Sequence, residues 1–269
     1  MTSNNAPAVA DIPPHSGHAV PASVHWGLGE VGLAIGALVL SIFAGAALSG
    51  SGFDPNALQF WVGIAGYALI VLVIVVASYR RGQHSLRKDF ALAFRPIDLL
   101  IGLGVGIAMR ILSVIFVLLA VALTGNTPEN GNLVLSDEPL WVVLNGFLLA
   151  SLIAPFVEEL MIRGLALQAI RNIVLRWRNR VQPAEPAQQK RAMWISVVVS
   201  AVLFMLLHSG QSADISVVIA LALSTLALGI ANALLVFWTG RLGAPIVAHV
   251  VFNGSSVLIA VVAGGLLSV

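Results

Sequence analysis

Residues 155–164, "PFVEELMIRG", pose the question on which the reading of this chain turns. Glu158, Glu159 and Arg163 stand in a segment, Trp141–Leu165, that is otherwise apolar enough to cross a bilayer. A charge inside a spanning helix is costly, so each needs a partner or a task. The rest of the chain supplies the same setting. Its 269 residues are 58% hydrophobic and 10% charged, with a mean hydropathy of +0.96. A soluble domain carries about 25% charged residues, so an integral membrane protein is expected.

A spanning helix needs about 20 apolar residues. Such windows fall at Trp26–Ser49, Ala57–Tyr79, Ile97–Leu123, Trp141–Leu165, Ala192–His208, Ile215–Trp238 and Pro245–Leu267. The fourth is expected to run on as an amphipathic helix to about Trp177. The fold class is therefore all-α, a polytopic transmembrane bundle of about seven to eight spans. The eighth would require a long segment to break, and Pro155 is the natural point, because proline lacks the N–H and crowds the preceding turn.

Residues 1–25 are polar, rich in proline and without Lys or Arg. They lack the basic start and short apolar core of a secretory signal and read as a disordered tail. The spacing of His15, His18 and His25 is too loose to favour a metal over solvated side chains. The transmembrane domain is then 26–269. With no cysteine, disulfides, thiolate metal sites and cysteine nucleophiles are excluded.

Basic residues set orientation. They gather in the connection Arg80–Arg95, in the segment Arg171–Arg191 and at Arg241. Gly50–Asn56, Gly125–Pro139 and Ser209–Asp214 contain none. With seven spans this alternation puts the N-terminus in the cytoplasm and the C-terminus outside. Net charge is only +2. The lipid bilayer is the expected surroundings, with no nucleic-acid partner. Gly32 with Gly36 and Gly102 with Gly106 suit close helix packing in lipid.

The ionisable residues expected within spans are Glu30, Arg110, Glu158, Glu159, Arg163, His208 and His249; Asn145, Asn232 and Asn253 add uncharged polarity. Glu30 and Arg110 could pair or snorkel. Residues four apart share a helix face, whereas neighbours diverge by about 100°. Glu159 and Arg163 thus form an intrahelical pair, and Glu158 points elsewhere with no partner on its own helix. His249 shares a face with Asn253, and Phe204 with His208, so that the phenyl ring walls the imidazole. Three helices each bring a polar face into an apolar bundle, and these faces are expected to meet in one hydrated cavity.

A carboxylate and an imidazole within reach of one water can take its proton as it attacks a carbonyl. A second histidine and an amide can donate to the developing oxyanion, each donor contributing about 3 kcal/mol. The set thus suits metal-free hydrolysis of an amide bond. Glu158, His208 and His249 would also suit zinc with an open water position, but the usual His-Glu-x-x-His helix is absent. No cofactor is therefore favoured. Without catalysis, the same cavity would fit a membrane scaffold or an immunity factor. A proton-coupled transporter is disfavoured by the lack of internal repeats.

Glu158-Glu159-x-x-x-Arg163, Phe204-x-x-x-His208 and His249-x-x-x-Asn253, in that order, resemble the three signature motifs of the CPBP intramembrane proteases. That family includes the CAAX prenyl endopeptidases and the bacterial Abi, or bacteriocin-immunity, proteins. The resemblance covers about Trp141 to Val269, and the first three spans match in hydropathy alone. It implies an intramembrane endopeptidase acting on a peptide or membrane-anchored protein. Glu158 and His208 would activate water, His249 and Asn253 would stabilise the oxyanion, and Glu159 would hold Arg163. The short, basic-looped chain suits a bacterial cell membrane.

One tension accompanies this reading. In a simple ladder of spans, Glu158 lies about 26 Å along its helix from Trp141, near the inner face. His208, ending a span entered from the cytoplasm, would lie near the outer face. Either Pro155 resets its helix, or the His208 span begins below the inner surface.

Overall fold

A computed structural model describes residues 26–125, 136–178, 185–208, 210, 212 and 214–267; the three tail histidines lie outside them. Among the described residues there is no strand. The elements are α1 (Leu28–Leu48), α2 (Pro55–Arg81), a one-turn α3 (Leu86–Asp89), α4 (Ile97–Thr124), α5 (Pro139–Leu175), α6 (Pro186–His208), α7 (Ile215–Thr239) and α8 (Gly243–Leu267). All but α3 are long and apolar enough to cross a membrane, giving seven spans among the described residues.

The termini follow from local chemistry. Asp54 caps α2, its carboxylate accepting from the Ala57 N–H at 2.8 Å, with Pro55 in the first turn. Asp214 caps α7 by accepting from the Ser216 hydroxyl and from the Ser216 and Val217 amides. These donors hold its carboxyl below the usual carboxylate range. Gly125 and Gly240 close α4 and α7 at φ 72° and 69°, a left-handed geometry that glycine adopts without strain. Large apolar side chains such as Leu100, Trp61 and Trp238 point outward, as lipid contact allows, and the buried core gathers around Val157–Leu165 of α5.

α5 does not break at Pro155. The helix runs through it, with wide-turn π-helical segments at Val142–Ile153 and Leu160–Ala166 on either side of an α-helical Ala154–Glu159. The proline ring is accommodated by widening the turns above it. The chain remains helical beyond Leu175 to Arg178, as the amphipathic pattern predicts. α6 begins at Pro186, ahead of the expected Ala192, and its first residues through Arg191 are mostly exposed. This early start removes the tension over depth: His208, the last residue of α6, comes level with Glu158.

Packing separates the two glycine pairs. A Cβ on Gly106 would lie 2.7 Å from both the Ala248 carbonyl and the Val251 side chain, and Gly102 meets Val247 and the Ala244 carbonyl just as closely. These two bring α4 against α8. Gly32 and Gly36 have nothing within 4 Å of an added Cβ, so the packing expected there is absent. Nor do Glu30 and Arg110 pair with each other. Glu30 lies 3.0 Å from Arg81 and accepts from the Gly27 N–H. Arg110 ties α4 to α8 by donating to Ser255, Ser256 and the Phe252 carbonyl, and it sits over the Phe252 ring.

The connections at Arg80–Arg95 and Arg241 share one end of the bundle. Leu242 and Gly243 donate to the carbonyls of Ala91 and Ala93, and Arg241 grips the buried Asp98 with two bonds of 2.6 and 2.8 Å. Gly164 of α5 packs against Phe90 and Leu242 at the same end.

Candidate active site

Glu158 projects from the α-helical stretch between the two wide-turn segments of α5. Its Oε2 lies 3.7 Å from His208 Nε2 on α6 and 3.9 Å from His249 Nε2 on α8. Its Oε1 accepts a hydrogen bond of 3.1 Å from the Tyr67 hydroxyl on α2. The carboxylate that found no partner on its own helix is thus met by three others. Tyr67 was not among the residues selected from sequence. A phenol in a lipid-soluble span, with Ile70 and Ile74 buried below it, is the signal that could have flagged it.

Each imidazole is oriented from its far side. His208 Nδ1 lies 2.8 Å from the Phe204 carbonyl one turn earlier, and His249 Nδ1 lies 2.9 Å from Glu159 Oε1. A carbonyl and a carboxylate only accept, so each Nδ1 carries the hydrogen and donates it. In its neutral form each ring then offers a bare Nε2 lone pair to the space beside Glu158. Phe204 is wedged among three functional groups. Its ring lies 4.4 Å from that of His208 and 5.3 Å, edge-on, from that of His249, and it sits 4.5 Å beneath the Arg163 guanidinium.

Glu159 and Arg163 are wholly buried and joined at 3.1 Å. The same oxygen, Glu159 Oε1, also receives Asn232 Nδ2 at 2.9 Å. Arg163 donates onward to the Gly229 carbonyl at 3.1 Å. Glu159 therefore does more than hold Arg163, because it also fixes the tautomer and tilt of His249. Asn232, noted from sequence only as a buried polar residue, secures this carboxylate from α7.

Asn253 faces the same cavity and donates to the Ala150 carbonyl at 2.9 Å. The origin of that acceptor is local. The Ala154 N–H bonds to Leu149 rather than Ala150 in the wide turn, and residue 155, next in line for Ala150, is a proline with no N–H. The orphaned carbonyl is satisfied by Asn253. One of the two amide hydrogens of Asn253 is used there and the other is left for the cavity.

These groups open onto a cavity of about 810 Å³ between the helices, mostly apolar and reached by α1, α2 and α4 as well as by α5–α8. Such a volume suits a ligand of several residues. Residues 139–255 match the family model described as type II CAAX prenyl endopeptidase Rce1-like. Over these residues, which make up less than half of the chain, it is similar to that family. No curated protein and no solved structure matches the chain. The Rce1-like segment begins with α5 and contains Glu158, Glu159, Arg163, Phe204, His208, His249 and Asn253. Tyr67 lies outside it. Similarity to an endopeptidase family and seven helices long and apolar enough to cross a membrane thus occur in one chain.

Proposed function

We propose that the chain hydrolyses a peptide bond of a peptide or membrane-anchored protein with a water activated by Glu158 and His208. The observation that carries this reading is the convergence of Glu158 Oε2 with two imidazole Nε2 atoms at 3.7 and 3.9 Å. These gaps exceed a direct hydrogen bond. A water seated off the line between them would lie about 2.8 Å from each group, where base and nucleophile meet. Deprotonated by Glu158 and His208, it attacks the carbonyl carbon of the scissile bond. The developing oxyanion takes hydrogen bonds from His249 and the free amide hydrogen of Asn253. For Nε2 of His249 to donate, the ring must carry a second proton. The proton that Glu158 and His208 took from the water then passes to the leaving nitrogen as the oxyanion collapses and the C–N bond breaks.

A metal-free route is favoured by the donor spacing. Two ligands on a tetrahedral zinc with bonds of about 2.0 Å stand about 3.3 Å apart. The Glu158–histidine separations are wider. The bare Nε2 atoms and their outer partners on Nδ1 nevertheless suit zinc chemistry, which keeps a zinc hydrolase as the second reading. Residues 1–25 are proposed as a tail to the transmembrane domain 26–269, in a bacterial cell membrane. The basic connections would face the cytoplasm, together with the N-terminus, leaving the C-terminus outside.

The test is cleavage of a fluorogenic peptide library by purified chain in lipid nanodiscs. Glu158→Gln and His208→Ala are expected to reduce turnover at least 100-fold without unfolding the bundle. Turnover near the wild-type rate in Glu158→Gln would reject Glu158 as the base. A cellular role that survives Glu158→Gln would point to a scaffold or immunity factor.

A further inference from the structure

The three spans that precede the Rce1-like segment form part of the wall of its cavity, and α2 makes a polar contact with the reactive carboxylate itself. We infer that Tyr67 is the positioning residue of Glu158, so that the catalytic unit includes α2 and is larger than residues 139–255. This inference rests on the water-activation reading of the same site.

Glu158 has three side-chain torsions and no hydrogen-bond partner on α5. Its Oε2 is buried without a hydrogen-bond partner. Among the described residues, the Tyr67 hydroxyl is the group within hydrogen-bond distance of this carboxylate. Left unanchored, the carboxylate could rotate to bond an imidazole Nε2 directly, and the gap for the attacking water would close. A phenol on Oε1 removes that freedom, because it occupies one oxygen and turns the other toward His208 and His249. A neutral donor does this without adding a cation that would draw the carboxylate away from the water. The hydroxyl hydrogen also stabilises the carboxylate in a mostly apolar cavity, where an unpaired charge is costly.

The packing of α2 makes the anchor firm. Tyr67 shares a face with Ile70 and Ile74, both buried. One turn away, a Cβ on Gly63 would lie 2.7 Å from Leu149 of α5, and on Gly66, adjacent to Tyr67, it would lie 2.6 Å from the Ser41 hydroxyl of α1. These glycines let α2 sit closely against its neighbours, which sets the depth at which the phenol enters the cavity. Leu149 belongs to the wide-turn segment that precedes Pro155 and Glu158, so the donor and its acceptor are carried on directly packed helices.

Two measurements test this. With the fluorogenic peptide library, Tyr67→Phe should lower kcat about tenfold while KM stays within twofold and the bundle remains folded. The chain has two tyrosines, Tyr67 and Tyr79, so a sample labelled with carbon-13 at tyrosine Cζ gives two signals. The one missing from Tyr67→Phe should shift when Glu158→Ala removes its acceptor, and the Tyr79 signal should stay in place. Wild-type kcat in Tyr67→Phe beside a dead Glu158→Gln would overturn the inference and leave the water-activation reading standing. Retained cleavage in Glu158→Gln would instead remove the reading on which it rests. If no library peptide is cleaved, the resonance decides: a Tyr67 signal indifferent to Glu158→Ala overturns the assignment.

Discussion

Nδ1 of His249 lies 2.9 Å from Oε1 of Glu159, the oxygen that also receives Arg163 and Asn232. One fully buried atom therefore joins α5, α7 and α8. It links the stability of the bundle to the orientation of a candidate catalytic imidazole. Glu159 read as an ion-pair partner would matter to folding alone; Glu159 bonded to His249 matters to both.

Replacing Glu159 with alanine leaves the Arg163 guanidinium buried and unpaired. Removing one partner of a buried pair costs about 3–5 kcal/mol. Denaturant unfolding in detergent should show a loss of that size. Any folded fraction should also turn over slowly, because the His249 ring is no longer held in orientation. Full specific activity in the folded Glu159→Ala fraction would contradict the orienting role.

Pro155→Ala restores an N–H at the position from which a wide-turn helix would donate to Ala150. That N–H competes with Asn253 for the carbonyl, freeing the amide to move within the cavity. Turnover is expected to fall about tenfold with little change in melting temperature, and Asn253→Ala should produce a loss of similar or greater size. Measurement of kcat for both variants checks this, and an unaffected Pro155→Ala would mean that Asn253 is positioned by other contacts.

The two glycine pairs should respond oppositely to added side chains. Gly106→Leu forces a side chain against the Ala248 carbonyl and Val251, and overpacking of this kind costs about 1–3 kcal/mol. Gly36→Ala meets nothing within 4 Å and gains helix propensity worth up to about 1 kcal/mol. Thermal unfolding of the two variants should move in opposite directions, and a neutral Gly106→Leu would mean that α4 and α8 are more loosely joined than the geometry indicates.

Chelation separates the two chemical readings. After dialysis against a strong chelator, with metal content checked by elemental analysis, cleavage should persist at the untreated rate. Loss of activity restored by zinc would favour Glu158, His208 and His249 as ligands.

Much of this was legible in the chain itself. Hydropathy placed seven spans because a helix that crosses hydrocarbon must be apolar over a length fixed by the bilayer, a one-dimensional property. The i, i+4 spacing placed Glu159 with Arg163, since helix geometry alone brings those side chains together. The ordered motifs singled out Glu158, His208, His249 and Asn253 because ionisable and strongly polar groups are rare in such helices.

What the sequence left open depends on contacts between helices. Whether Pro155 breaks α5 or widens it depends on neighbouring groups that satisfy the freed carbonyl, and Asn253, distant in sequence, does so for Ala150. The depth of His208 relative to Glu158 depends on where α6 begins outside its apolar window. The second role of Glu159, the support from Asn232 and the approach of Tyr67 join residues far apart in sequence. No periodicity encodes those pairings, because a hydrogen bond across a bundle is fixed by how whole helices pack. In "PFVEELMIRG" the sequence therefore determined that the charges divide into a paired Glu159 and an unpaired Glu158. Tertiary packing alone decided what each of them faces.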